Sequence, residues 1–218
     1  MNSSNSNHPE RSSIAAHLVV PILIKPILHK LERESSDCAH AIRCSLIKAE
    51  NSSPGILLEL LIAMIKKADL SVNIIESLLR LQGTIPEFDD YIIRRREEPF
   101  QEMNKKSVVL RKILSRIPDE INDRPIFLAT IKEIASAIKK IMDCVNAISD
   151  YTFDLSDKQV LDIRKREFIK YSKRFSTTLK EFFKEGESTS VYISAAHLIH
   201  QTNLLHITVK DKCDNHHK

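Results

Sequence analysis

The stretch Leu161-Asp-Ile-Arg-Lys-Arg-Glu-Phe168-Ile-Lys-Tyr171-Ser-Lys173-Arg-Phe175-Ser176-Thr-Thr-Leu179-Lys180-Glu-Phe182 decides the fold class. Leu161, Phe168, Phe175 and Phe182 recur every seven residues, with Tyr171 and Leu179 between them. Two α-helical turns take just over seven residues, so these side chains form one apolar stripe and the charged residues fill the opposite face. A strand would scatter them over both faces. Gly186 follows, a residue suited to the left-handed conformation that closes a helix.

The same spacing extends on either side. Phe100, Met103, Ser107, Leu110, Leu114 and Ile117 step by three or four residues until Pro118 stops the run. Asp123 is placed to cap the next helix, with Pro125 in its first turn. That helix carries Phe127, Ile131, Ile134, Ile138, Ile141, Val145 and Ile148 on one side. A last helix is expected to bury Val191, Ala195, Leu198, Thr202, Leu205 and Val209. Four long amphipathic helices with short connections over residues 100–210 predict a four-helix bundle, with 211–218 as a tail.

The N-terminal half is less regular. Residues 1–13 read as a disordered tail. Residues 14–34 read as a helix that Pro21 and Pro26 interrupt or kink. Further helices are expected near 37–49, 55–67 and 71–81, the second burying Leu57, Leu60, Leu61, Met64 and Ile65. Gly83, Pro86, the acidic Glu87-Phe-Asp-Asp90, the basic Arg94-Arg-Arg96 and Pro99 mark residues 82–99 as a linker. Four short helices over 14–81 supply little core, and such units often oligomerise. Pairing with another chain is the economical solution, and packing on its own bundle is the alternative.

Composition excludes much. Three glycines in 218 residues leave no phosphate-cradling loop and no nucleophile elbow, which rules out a nucleotide-binding α/β enzyme. Cys38, Cys44, Cys144 and Cys213 show no CxxC spacing and read as reduced thiols. His197 and His200 lie three apart, but no acid accompanies them within a turn, so a polar surface or buried hydrogen bond outweighs a metal site. Neither a catalytic constellation nor a cofactor site is expected, and the chain does not read as an enzyme. The N-terminus lacks the order of a signal peptide, and the Ile14–Leu31 stretch, with two prolines and Lys25, falls short of a membrane span. A cytoplasmic protein is the expectation.

Charge divides the halves. Residues 1–98 hold 12 basic and 13 acidic side chains, whereas 99–218 hold 21 and 16. Within the basic half, Lys132 and Lys139 stand seven apart, about 10.5 Å along a helix, and Lys173 and Lys180 repeat the spacing. Ala135, Ser136, Ser176 and Thr177 lie between them. On neighbouring helices these lysines would flank a shallow trough for an acidic amphipathic helix. On the pattern alone a solvated lysine face is the simpler reading.

The runs Leu110-Arg-Lys-Ile-Leu-Ser-Arg-Ile-Pro-Asp-Glu-Ile-Asn-Asp-Arg124 and Thr130-Ile-Lys-Glu-Ile-Ala-Ser-Ala-Ile-Lys139 closely resemble the programmed cell death protein 10 family, also called the third cerebral cavernous malformation protein family. Phe168-Ile-Lys-Tyr-Ser-Lys173, Leu198-Ile-His-Gln-Thr-Asn-Leu204, Ile47-Lys-Ala-Glu50 and Glu76-Ser-Leu-Leu-Arg80 extend the likeness over roughly residues 25–210. The resemblance implies a non-catalytic, all-α adaptor. Its N-terminal domain would form homodimers or pair with germinal centre group III kinases. Its bundle, of the focal-adhesion-targeting-homology type, would bind helices of the paxillin, malcavernin and striatin types. Such an adaptor would join the striatin-interacting phosphatase and kinase complex, with roles in Golgi organisation, migration, survival and vascular integrity.

The resemblance assigns the groove to Lys132, Ala135, Ser136, Lys139, Lys173, Ser176 and Lys180, and the dimer interface to Ile42, Ser45, Met64 and Ile65. Ser45 stands where the family has alanine, and Met64 where it has isoleucine. The tails and a slightly longer linker around Gly83–Pro86 also depart from the family. Contact of the same lysines with anionic phosphoinositide headgroups is a second activity the resemblance implies, placing the protein peripherally at Golgi and cell membranes. Nucleic acid is not expected as a partner, because neither an arginine-rich helix face nor an aromatic platform accompanies the charge.

Overall fold

The computed structural model describes residues 8–85, 92–151 and 154–214. Every element among them is helical, and the chain divides into two compact units at Leu81/Gln82. The first holds α1 (His8–Val19), a π turn (Val20–Ile24), α2 (Lys25–Glu34), α3 (Ser36–Ser52), α4 (Ile56–Lys67) and α5 (Ile74–Leu81). Helix α1 begins inside the stretch read as a tail, and residues 1–7 lie outside the described ones.

The two prolines are accommodated without a break. Around Pro21 the backbone widens to a π turn in which the Lys25 N–H bonds the Val20 carbonyl, the usual way an irregular donor ladder is absorbed. By length and composition, Ser13–Glu34 is therefore apolar enough to cross a membrane, contrary to the reading from its prolines. Here it buries Ile14, Ala15, Leu18, Val19, Ile22 and Leu28 within its own unit. Ser35 caps α3 by accepting from the Cys38 N–H at 3.4 Å. The α3–α4 corner turns at Gly55, whose φ of 92° favours glycine, and the Glu50 carboxylate accepts from the N–H groups of Gly55 (2.7 Å) and Leu57 (3.2 Å).

The second unit is a four-helix bundle of α6 (Glu98–Ser115), α8 (Arg124–Ser149), α9 (Leu155–Glu185) and α10 (Ser188–Val209), with a one-turn α7 (Ile117–Glu120) between the first two. Packing closes a ring, α6 on α8, α8 on α9, α9 on α10 and α10 on α6. Phe100, Phe127, Phe168 and Phe175 are its largest buried side chains. Asp123, Asp154 and Glu187 cap α8, α9 and α10, and Gly186 closes α9 at a φ of 77°.

Three details differ from the periodicity. Thr130 and Ala137 are buried on α8, whereas Ile131 and Ile138 are only half-buried. Helix α10 buries the six positions expected and all the remaining residues from Val191 to Ile199, because α9 and α6 cover it from two sides. The helical path continues past Val209 through a π turn (Lys210–Asp214), where Lys212 pairs with buried Asp157 at 3.0 Å, so part of the expected tail is fixed to the bundle.

The segment read as a linker is also partly built in. Pro86 and the acidic 87–90 run lie outside the described residues. Ile93, however, is fully buried. Asn104 brackets its backbone, accepting from the Ile93 N–H at 3.1 Å and donating to its carbonyl at 2.9 Å. Gln101 donates to the Arg95 carbonyl, and the Arg95 guanidinium lies 4.4 Å from the centre of the Phe100 ring while pairing with Glu97. Residues 92–97 are thus a strap on the bundle.

Candidate functional site

The motif Ile117-Pro-Asp-Glu-Ile-Asn-Asp123 does structural work beside the lysines. Arg116 bonds Glu120 at 2.7 Å and Glu133 at 3.0 Å, and the Thr130 hydroxyl donates to Glu120. Burial would raise the Glu120 carboxyl, but the Arg116 and Thr130 hydrogen bonds outweigh it and hold its pKa below the usual value. The network bolts the α6–α7 corner to the first turns of α8. It also ties the Glu133 carboxylate to Arg116.

On α8, Lys132, Ala135, Ser136 and Lys139 are all exposed; on α9, Lys173, Ser176, Thr177 and Lys180 are exposed too. Ser176 and Thr177 return their hydroxyls to the carbonyls of Ser172 and Lys173, so they present little more than small, smooth surface. Helices α8 and α9 pack on each other, and their antiparallel course follows from Phe127, at the start of α8, meeting Phe182 and Phe183 at the end of α9. Among the described residues, none of the four lysines takes part in an ion pair. Four ammonium groups on the faces of two adjoining helices, with small side chains between, have the chemistry to receive a carboxylate-bearing amphipathic helix.

In the first unit, the residues assigned to a dimer interface all reach solvent or its edge. Ile42 is 43% exposed and Met64 60%, Ser45 is exposed with its hydroxyl bonded to the Ala41 carbonyl, and Ile65 is half-buried. They lie on α3 and α4, which are in contact. The expected buried face of α4 is corrected: Leu57 and Leu58 point inward, Leu61 and Ile65 are half-buried, and Leu60 and Met64 face outward. Periodicity located an apolar face but not what covers it. Ile47, Leu70 and Val72 add to the exposed apolar surface of this unit, more than a self-contained one needs to leave open.

The other candidate groups resolve as structure. His197 is buried with its ring stacked on Tyr171 at 5.2 Å. His206 Nε2–H donates to Asn104 at 2.9 Å; burial first, then Lys210 and Arg111, lowers its pKa to about 4. Burial likewise raises the Cys144 thiol, opposite to what a nucleophile requires. Among the described residues, no cluster of three metal-ligating side chains occurs. His216 and His217 lie outside them. Sequence reading missed Leu128, Phe183 and Arg124 at one end of the lysine faces, although Leu128 is four before Lys132 and Phe183 three after Lys180.

Residues 12–71 match the family described as "Programmed cell death protein 10, dimerisation domain", and residues 72–162 match "Programmed cell death protein 10, C-terminal". Lys132 and Lys139 fall within the second match; Lys173 and Lys180 lie beyond it. The chain is also similar to a "Programmed cell death protein 10 homolog" from Caenorhabditis elegans, 36% identical over 198 residues that cover 87% of this chain and 91% of that one.

Proposed function

The chain belongs to the programmed cell death protein 10 family, and from that premise we propose that it is a non-catalytic dimeric adaptor which captures acidic, leucine-rich partner helices on its bundle. The observation that carries the reading is the unpaired lysine quartet, Lys132, Lys139, Lys173 and Lys180, flanking small residues on α8 and α9. An exposed ion pair contributes about 0.2–1 kcal/mol. Leucines lying on the trough floor therefore supply most of the affinity, at about 25 cal/mol per Å² buried, while the lysines set association rate and select acidic partners.

Partners of the paxillin, malcavernin and striatin types meet that chemistry. The first unit, through Ile42, Ser45, Met64 and Ile65, would pair with a second copy or with the C-terminal region of a germinal centre group III kinase. Such an adaptor works in the cytoplasm, peripherally at Golgi and cell membranes, within striatin-type kinase and phosphatase complexes. Its part is in Golgi organisation, migration, survival and tubular or vascular integrity.

The test reverses all four lysines to glutamate and titrates a fluorescent acidic leucine-rich peptide, with phosphoinositide vesicles in parallel. Peptide binding is expected to be lost while dimerisation persists, and salt raised from about 0.05 to 0.5 M is expected to weaken the wild-type complex only in part. Unchanged peptide binding by the variant would leave the lysines as a solvated face. Loss of vesicle binding alone would make lipid headgroups the ligand.

A further inference from the structure

The trough continues past its lysines. Leu128 stands one turn before Lys132 and Phe183 three residues after Lys180, and each is 42% exposed. Residues three or four apart share a helix face, so both continue the faces that carry the lysines. The antiparallel course of α8 and α9 brings these two positions to the same end. There the Phe127 ring lies 6.0 Å from Phe183 and 5.7 Å, edge-on, from Phe182. The Arg124 guanidinium sits 5.9 Å from the centre of the Phe183 ring.

The other end is chemically different. Four residues beyond Lys139 on α8 is exposed Asp143 and seven beyond is exposed Asn146, while three before Lys173 on α9 is exposed Lys170 and seven before is exposed Arg166. The lysine quartet has the same spacing on both helices, so it looks alike to an acidic helix laid in either direction. Lysines alone cannot set the direction of a bound helix. An apolar end facing a polar end can.

Resting on the trough reading above, we propose that Leu128 and Phe183 form an apolar seat closing one end of the trough. It receives a bulky aliphatic or aromatic side chain that the acidic partner helix carries one turn beyond its last carboxylate. Burial of that side chain holds the helix in one direction and one register. The occupant is thus an acidic amphipathic helix with a terminal apolar anchor, and Arg124 beside Phe183 accommodates a carboxylate near that anchor.

Two peptides test this: an acidic leucine-rich helix spanning the lysines, and the same helix with one leucine added a turn beyond its last acid. On the wild-type chain the added leucine is expected to tighten binding about tenfold. In Leu128→Gln/Phe183→Ser the gain should fall below about twofold while the shorter peptide binds as before. Leu128→Gln alone, which leaves the aromatic packing intact, should lose an intermediate share. A nitroxide on the leucine-bearing terminus is expected to broaden the ring signals of Phe183 and not signals near Asn146. An equal gain in wild type and double variant, no gain in wild type, or equal broadening at both ends overturns the seat. If reversing the four lysines also leaves both peptides bound, the trough reading falls with it; if that reversal abolishes both, only the seat has failed.

Discussion

The two units differ in the share of their large apolar residues that they cover. In the bundle, Phe100, Phe127, Phe168 and Phe175 are all essentially inaccessible. In the first unit, Leu60, Met64 and Leu70 are each more than half exposed, although α4 is among the most apolar segments of the chain. Long helices of 18, 26, 31 and 22 residues can each bury a continuous stripe against two neighbours. Helices of 12 and 8 residues such as α4 and α5 cannot cover one another. A unit of this size lies near the lower end of what a lone core stabilises comfortably. The bundle is therefore a self-sufficient platform, and the first unit is organised for a partner.

The strongest way to break that comparison is to charge the exposed face. Met64→Asp/Ile65→Asp places two carboxylates where a dimer would desolvate them, at a cost of several kcal/mol. Sedimentation at micromolar concentration is expected to show monomer, with the bundle still folded by near-ultraviolet signals from Tyr171 and Tyr192. A variant that still sediments as a dimer would move the interface away from α4.

Acid should act on the bundle first through His206. His206 is neutral in the fold, with a pKa near 4 against 6.5 for the free side chain. Above pH 6.5 neither state binds the proton and His206 adds no pH dependence. Between pH 6.5 and 4 the unfolded chain takes up a proton that the folded one refuses, so stability falls with pH and the loss is complete below 4. The difference amounts to about 3 kcal/mol. His206→Gln, which keeps a donor for Asn104, should flatten that part of the curve. Denaturant unfolding of both proteins at pH 7 and 4 checks it, and equal losses would mean that His206 protonates freely. Because His206 acts through Asn104 on Ile93, the acid limb should also loosen the 92–97 strap, read as faster amide exchange at Ile93.

Much of this architecture is legible in sequence, for reasons that differ by region. The seven-residue repeat of α9, the Asp123 cap with Pro125, and Gly186 are local signals, and each stands where it was expected. Lysines at matched spacing on adjacent helices are local too. The strap is not: Pro99 and the charge runs read as a break, while its anchor His206–Asn104 joins residues 102 apart. The outward turn of Leu60 and Met64 is equally hidden, since periodicity cannot tell a face covered by the chain from one covered by a partner. The π turn at Pro21 shows a third limit, because proline removes a donor without dictating whether the helix breaks or widens.

The smallest effect separates the bundle's corner from its core. Thr130 is fully buried, and its hydroxyl both donates to Glu120 and accepts from Arg116 at 3.2 Å. Thr130→Val keeps the volume and removes the hydroxyl, leaving a part-buried carboxylate one donor short, which costs about 1–3 kcal/mol. With that donor gone, the Glu120 pKa should rise towards its ordinary value of 4.5. A depressed carboxylate stabilises the fold above its unfolded pKa, and the contribution fades as pH falls through the folded one. The gap between wild type and variant should therefore be full at pH 7 and shrink below the ordinary carboxylate range. Unfolding of the two proteins over pH 7 to 3 measures it. A constant gap would assign the loss to packing, and the corner would then be held by apolar contact and not by its charged network. The dimer should be untouched in either case, since Thr130 lies wholly within the self-sufficient unit.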